Sequence, residues 1–286
     1  MSRLFIITPA RDEAQNLPKL EASLKAQSVL VTEWIVLENG STDDSCLLLD
    51  SIRPSGAIEA LHITHENTDD PAYALGRKYA RLIARGFDIL RQRHEIRDED
   101  FIGILDADSF PEPDYYQKLM AHMQASPRLG ITSGLTADAA GRMSVHRRNW
   151  VRGSCRLWRG KCLNSITYPI GPSADTLSAI KVKMQGWEVE ITPGALAEAR
   201  EVGARVSHNY YGQSAYFRGE TFVHCLLRTS KYLLALRPRT ALQFFTGYMG
   251  DWICHAPRTE DQDILEYCRG AVPRLLSESL RLRTYP

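Results

Sequence analysis

The chain has 286 residues, with 35 Lys and Arg against 34 Asp and Glu, and it is 44% hydrophobic and 24% charged. This is the composition of a globular protein long enough for one large domain with an appendage, or for two small ones. A formal charge of +1 argues against a general nucleic-acid binder, which needs a surplus of Lys and Arg to displace counterions.

Leu4 to Thr8 is a short apolar run without polar alternation, the pattern of a strand buried on both faces of a parallel sheet, and Pro9 is expected to end it. Residues 12 to 27 carry Leu17, Leu20 and Leu24 at helical spacing, and Glu33 to Glu38 (EWIVLE) reads as a second buried strand. The turn Asn39 to Ser45 offers Asp, Ser and Thr as caps to a helix over Cys46 to Ile52. Leu61 to Thr64 predicts a third strand, Ala74 to Arg91 a long helix, Phe101 to Leu105 (FIGIL) another strand, and 115 to 125 a helix. Strand and helix in alternation predict an α/β, doubly wound sheet, whose ligands lie beyond the carboxyl ends of the strands. Three such ends carry polar residues: Thr8 to Arg11, Glu38 to Ser41, and Asp106 to Asp108. From about residue 215 the pattern changes to helices rich in Leu, Arg and aromatic residues. The expected division is a sheet domain over 1–215 and a helical extension over 216–286.

Cys46, Cys155, Cys162, Cys225, Cys254 and Cys268 lack CxxC or CxH spacing, which disfavours both a zinc site and a disulfide framework. They read as reduced thiols of a cytoplasmic protein. The opening apolar run is too short for a signal sequence, and no run is long enough to span a membrane.

Asp106 and Asp108, at the end of an apolar strand, place two carboxylates side by side where water is partly excluded. Like charges that close repel unless a cation joins them, and Mg2+ or Mn2+ suits an all-oxygen donor set. The alternative is that both side chains cap the following helix or solvate a loop.

The stretches IITPARDEAQNLPKLEASLKAQ, WIVLENGSTDDS and FIGILDADSFPEPDYYQKL, in this order and spacing, resemble the N-terminal half of family 2 glycosyltransferases, which have the GT-A fold. Residues 150 to 159 resemble the family's acceptor-side Gly loop leading into a strand. The stretch from Ala174 to Trp187 resembles its Glu-Asp-x-Asp-Leu helix ending in Gly-Trp. The resemblance covers roughly residues 1 to 220.

The roles it implies are these. Thr8, Pro9, Ala10 and Arg11 line the nucleotide pocket, and Glu13 supports that loop. Glu38 stands where the family usually has an Asp that accepts a hydrogen bond from the nucleobase, and Asp12 stands where Asn is common. Gly76, Arg77 and Arg81 fall near the helix start that flanks base and diphosphate. Asp106 meets the ribose or a metal-bound water, and Asp108 of this DXD motif binds Mn2+ or Mg2+. Asp175 is the general base, with an N-cap as its structural alternative, and inversion results. His208 is the available metal-side histidine. Two departures stand out: Ala174 replaces the family's Glu, and Leu177 its second Asp. Gln213 to Gly219 resembles only loosely the segment that closes processive members, and no Gln-x-x-Arg-Trp is present.

Between Asp138 and Asp175 there is no acidic residue, whereas Arg142, Arg147, Arg148, Arg152, Arg156, Arg159 and Lys161 occur. Gly153, Arg156 and Arg159 are candidates for the diphosphate or a phosphorylated acceptor. Arg148, Arg152, Arg156 and Arg159 share a face if that segment is helical, and a solvated face paired with the acidic residues 95 to 100 is the alternative. Phe222 to Leu236, with cations among Leu, Tyr and Phe, reads as a packed helix, a dimer contact or a membrane interface.

The expectation is therefore a metal-dependent, inverting hexosyltransferase that moves one sugar from a nucleotide-diphosphate donor to a glycan or lipid-linked hydroxyl acceptor in cell-surface glycan synthesis. It is expected in the cytoplasm, at the inner face of the membrane. The alternatives are a catalytically impaired nucleotide- or glycan-binding scaffold, and a sugar-phosphate nucleotidyltransferase. Thr8 to Asn16 contains no Gly, which counts against the last.

Overall fold

The computed structural model describes residues 2–66, 76–144, 151–199 and 207–270. The expected helix start at Ala74, together with Arg147, Arg148 and Trp150, lies outside the described residues. The chain forms two compact units, one of residues 1–170 and 185–201, the other of 171–184 and 202–286. The boundary expected at 215/216 falls inside a helix of the second unit.

The first unit is built on an eight-stranded sheet in the order β3-β2-β1-β4-β7-β6-β8-β5. Its parallel part comprises β1 (Leu4–Ala10), β2 (Glu33–Glu38), β3 (Leu61–His65) and β4 (Phe101–Leu105). β7 (Cys155–Arg159) then runs antiparallel between β4 and β6 (Leu129–Ala137), and β8 (Glu188–Ala199) joins β6 to the short β5 (Ser109–Pro111). β1, β2 and β4 are buried on almost every residue, because continuous Ile, Leu, Val and Phe serve both faces at once.

Pro9 does not end β1. The ladder to β4 stops at Ile7 opposite Ile104, whereas that to β2 continues to Ala10 opposite Glu38. The amide that proline lacks is thus not missed.

Around the sheet lie α1 (Leu17–Lys25), α2 (Ser45–Ser51), α3 (Arg77–Arg93), α4 (Tyr115–Ala125) and α5 (Gly160–Asn164). α1 starts five residues later than the leucine spacing suggests. Pro18 sits in its first turn, and residues 12 to 14 are bound instead to the loop after β2. Gly86 lets α3 lie against β1: a Cβ there would come within 2.5 Å of Ile7. The segment whose arginines recur at helical spacing is strand β7 from Cys155 onward. Arg152 and Arg156 are buried, so neither the helical face nor the solvated face describes them.

The second unit holds α6 (Ala174–Met184), α7 (His208–Phe217), α8 (Phe222–Leu234), α9 (Pro238–Ile253) and α10 (Gln262–Arg269). α7 and α9 cross at two glycines. A Cβ on Gly212 would stand 2.1 Å from the Phe244 carbonyl oxygen, and one on Gly247 2.1 Å from that of Asn209. Leu177, Ile180, Phe217, Ile264 and Cys268 form one small core of this unit, and Ala215, Tyr216, Cys225, Phe244 and Tyr248 another. Among the described residues no helix is long and apolar enough to cross a membrane.

Candidate active site

The parallel strands of the first unit stop along one edge. Ala10 lies opposite Glu38, and Glu38 opposite His65. β4 ends at Leu105, directly before Asp106.

The loops that follow β1 and β2 are tied to each other. The amides of Asp12, Glu13 and Ala14 donate to Ser41 Oγ, Ser45 Oγ and Asp43 Oδ2 at 3.0, 2.8 and 3.1 Å, and Asp12 Oδ1 accepts from the Thr42 amide at 2.7 Å. Asp12 has φ 53°, a left-handed conformation that Asn and Asp tolerate better than other side chains. This explains why Asp can stand where the resemblance has Asn. Asn16 Nδ2 donates to Glu13 Oε2 within the same loop.

Glu38 is buried at the base of this wall. Burial alone would raise its pKa, but hydrogen bonds from Ser41, His65 and Cys46 outweigh it and hold the carboxyl below its usual value. The Ser41 amide donates to Oε1 at 2.5 Å, and His65 Nδ1 lies 3.2 Å from Oε2.

Asp106 is held at its backbone and at its side chain. Its amide donates to the Ser154 carbonyl at 2.8 Å, and its carboxylate accepts the Tyr79 hydroxyl at 2.7 Å. Burial pushes its pKa up to about 7, against the Tyr79 hydrogen bond, and the charge of Asp108 pushes the same way while Arg156 opposes it. Arg156 lies opposite Ile104 in the β4·β7 pairing and is 1% exposed, so a guanidinium is buried beside the carboxylate pair. The half-buried Asp108 completes the pair two residues on.

Other expected residues are placed differently. Thr8 is fully buried, and its hydroxyl accepts from Trp34 Nε1 at 3.0 Å; its side chain ties β1 to β2. Pro9 is half-buried, Ala10 buried and Arg11 exposed at the rim. Arg77 opens α3 just after Gly76, in the same turn as Tyr79. Gly153 is half-buried in the loop before β7. Arg159 is opposite Phe101, at the other end of β4 from Asp106, and its guanidinium donates to the carbonyls of Leu129, Met123 and Ser126. It is not brought to the carboxylates. Tyr79, Cys46 and His65 were not singled out by any spacing, because their partners are far along the chain.

In the second unit, Asp175 lies in the first turn of α6. The preceding Ser173 has φ 58°, and its amide donates to the Tyr210 hydroxyl at 2.9 Å. Burial first, and then the charge of Asp175, raise the pKa of Tyr211. His208 opens α7 and meets Tyr211 and Tyr232 edge-on at 5.6 and 6.1 Å between ring centroids. Arg218 is buried and pairs with Glu220 at 2.6 Å. Burial would lower its pKa, but Glu220 raises it, as in a structural ion pair.

A family model described as Glycosyl transferase family 2 matches residues 5–184. No curated protein matches the sequence. Among solved structures, S. aureus TarS 1-349 in complex with UDP-GlcNAc is 15% identical over 94% of this chain and 80% of that one, with a TM-score of 0.54. The mannosyltransferase PcManGT from Pyrobaculum calidifontis, in complex with GDP-Man and Mn2+, is 17% identical over 99% of this chain and 81% of that one, with a TM-score of 0.53. Glucosyl-3-phosphoglycerate synthase from Mycobacterium tuberculosis, with Mn2+, UDP and phosphoglyceric acid, is 15% identical over 70% and 71%, with a TM-score of 0.50. At these identities the likeness is one of fold.

Proposed function

The chain belongs to glycosyl transferase family 2 and has the GT-A fold, and from that premise we propose that it moves a single sugar from a nucleotide-diphosphate donor to a hydroxyl acceptor, with inversion at the transferred carbon. The observation that carries this reading is the carboxylate pair Asp106 and Asp108, set at the end of β4 beside the buried Arg156. Two such carboxylates, one pushed toward protonation by burial and by the other, make an oxygen-only donor set that suits Mn2+ or Mg2+. Mn2+ accompanies the nucleotide in two of the structural relatives. Asp108, with Asp106, would hold the ion, which when bound neutralises charge on the leaving diphosphate.

The chain's own residues supply the rest. The tied loops 12–14 and 41–45 form a fixed wall for the nucleoside, and Glu38 presents an ionised carboxylate toward the base. Tyr79 orients the Asp106 carboxylate, and Arg156 adds positive charge where phosphate negative charge gathers. Asp175 accepts the proton of the acceptor hydroxyl as that oxygen attacks the anomeric carbon.

Nucleoside diphosphate release from a panel of sugar nucleotides with Mn2+, with and without chelator, tests the reading. Turnover is expected in the wild type and not in Asp108→Ala, and undiminished turnover in Asp175→Asn removes that residue as base. A binding-only scaffold is favoured by one observation: the two departures in α6, Ala174 and Leu177, are 3% and 1% exposed, so they supply core instead of carboxylates. Metal-dependent donor binding without turnover on any acceptor would decide for it.

The acceptor side of the proposal is a membrane face. Ten of the fourteen large apolar side chains exposed among the described residues lie between Phe222 and Ile253. From Thr221 to Gly250 there is no Asp or Glu, while Arg228, Lys231, Arg237 and Arg239 occur. An apolar, basic pair of helices whose single acid, Asp251, lies in the last turn of α9 matches an anionic lipid surface. A lipid-linked acceptor of a cell-surface glycan fits that setting.

A further inference from the structure

The strand edge holds a second cluster of different chemistry, and we propose that Glu38, Cys46 and His65 form a binding site for a zinc-class divalent ion. Among the described residues this is the one group of three His, Cys, Asp or Glu side chains whose ligand atoms converge, all lying within 4.8 Å of one another. The topology assembles it. Glu38 and His65 end neighbouring strands and are register partners, while Cys46 comes from the first turn of α2.

The geometry fits the ion. With bonds of about 2.0–2.2 Å to nitrogen and oxygen, tetrahedral coordination sets those two atoms about 3.4 Å apart, and His65 Nδ1 lies 3.2 Å from Glu38 Oε2. The surroundings are those of a prepared site. The Ser41 amide holds Oε1 of Glu38, which leaves Oε2 turned to the cluster. The far nitrogen of His65, Nε2, lies 3.5 Å from Asp50 Oδ1, the carboxylate–histidine pairing that orients metal-bound imidazoles. β3 is an edge strand and the His65 side chain is 48% exposed, so an ion has a way in.

Thiolate, imidazole and carboxylate together select a borderline ion such as Zn2+ over Mg2+ or Mn2+, whereas Asp106 and Asp108 offer oxygen alone. Binding breaks the Cys46 S–H bond and forms a sulfur–metal bond, the proton leaves to solvent, and no electron is transferred. Three protein ligands leave a fourth position for water. One consequence rests on the proposed function: since Glu38 there faces the nucleobase, ion and donor compete for one carboxylate.

The test is titration of the metal-free full chain with Co2+, read by the thiolate-to-cobalt absorption and tetrahedral visible bands, followed by displacement with Zn2+. One equivalent with both signatures is expected. The thiolate band disappears in Cys46→Ser, and Asp50→Asn weakens affinity about 10–100-fold. Zn2+ is also expected to raise the thermal midpoint of the wild type and not that of Cys46→Ser. Absence of a thiolate band in the wild type, or a band of equal strength in Cys46→Ser, overturns the site. If Cys46→Ser does not fold, unchanged Co2+ affinity in Asp50→Asn overturns it instead. The readout contains no donor, so loss of the transferase reading leaves it standing. An intact cobalt site that does not weaken donor binding breaks only the competition with the nucleobase.

Discussion

In the sheet unit, β1, β2 and β4 bury their apolar residues on both faces, and the charged groups of interest emerge only where those strands stop. In the helical unit the exposure is inverted: α8 buries a single residue, Cys225, while Leu226, Leu227, Leu233 and Leu234 face outward. A strand end fixes a carboxylate because the backbone on its amino side is locked in a ladder, so chemistry there is a matter of position. An open helix pair fixes nothing at one point and offers area and charge instead. The two units thus suit the two halves of the proposed reaction, a small charged donor that needs placing and a lipid-borne acceptor that needs a surface.

The largest expected effect tests the sheet side of that contrast. Asp108→Ala should lower metal-dependent nucleoside diphosphate release by about 10³-fold or more, since several kcal/mol of charge stabilisation are at stake, while the thermal midpoint changes little. Equal loss of stability and turnover would mean that the carboxylate serves the fold and not the donor.

Next comes the helical unit's own buried charge. Arg218 and Glu220 are 6% and 7% exposed, and Glu220→Gln leaves a guanidinium uncompensated. A loss of about 3–5 kcal/mol in denaturant stability is expected. The exposed pair of Lys118 and Asp114 in the sheet unit, 2.7 Å apart, should contribute under about 1 kcal/mol by the same measurement on Lys118→Ala.

The surface reading gives a smaller effect. Leu234 and Leu236 are 86% and 89% exposed. Replacing both by Asp removes apolar area and adds negative charge, so co-sedimentation with anionic vesicles should weaken at least about tenfold, with turnover on a soluble acceptor unchanged. Neutral vesicles should bind the wild type less than anionic ones. Self-association that disappears in the double variant, with no vesicle binding in either chain, would assign this face to a second copy.

The contrast also explains what could be read in the sequence. Glu33–Glu38, Phe101–Leu105 and Tyr115–Ala125 follow from the sequence residue for residue, because continuous burial leaves an unbroken apolar run and a helix leaves a three-to-four spacing. β8 does not: Pro193 and Gly194 interrupt it, and Gly194 has φ 83° where the pairing to β6 shifts register between Ser133 and Leu135. A strand with a bulge reads as a turn. α7 has a glycine at its crossing with α9, and this hides it in the same way. In the site, Asp106 and Asp108 were legible because they are local. Tyr79 donates to a carboxylate 27 residues away, and Cys46, with no metal-ligand spacing, gains His65 only through the register of β2 and β3. That Thr8 bonds Trp34 and that Arg159 lies at the far end of β4 were not legible, for the converse reason: position in a motif says nothing about which face or which end a side chain takes.

The smallest expected effect is a change of slope with pH, and it separates the units again. Asp100, buried in the sheet unit, would be raised by burial. The Arg3 side chain at 2.6 Å and the amides of Arg97 and Arg3 at 2.8 and 3.1 Å outweigh that, and its pKa lies below the usual value. A carboxyl depressed in the folded state stabilises the fold fully above its unfolded pKa, about 3.9, and loses that contribution as pH falls through the folded value. The difference in urea midpoint between wild type and Asp100→Asn should therefore be flat near neutrality and shrink in acid below about pH 4. Asp100→Asn should start lower at neutral pH and fall less steeply. Glu220 in the helical unit is depressed in the same direction, with Arg218 as its main counter-charge against burial, so the acid loss that survives in Asp100→Asn should diminish further in the double variant with Glu220→Gln. If the single variant alone flattened the whole acid limb, the helical unit's buried pair would contribute nothing to acid sensitivity, and its ionisation would then have to be the same folded and unfolded.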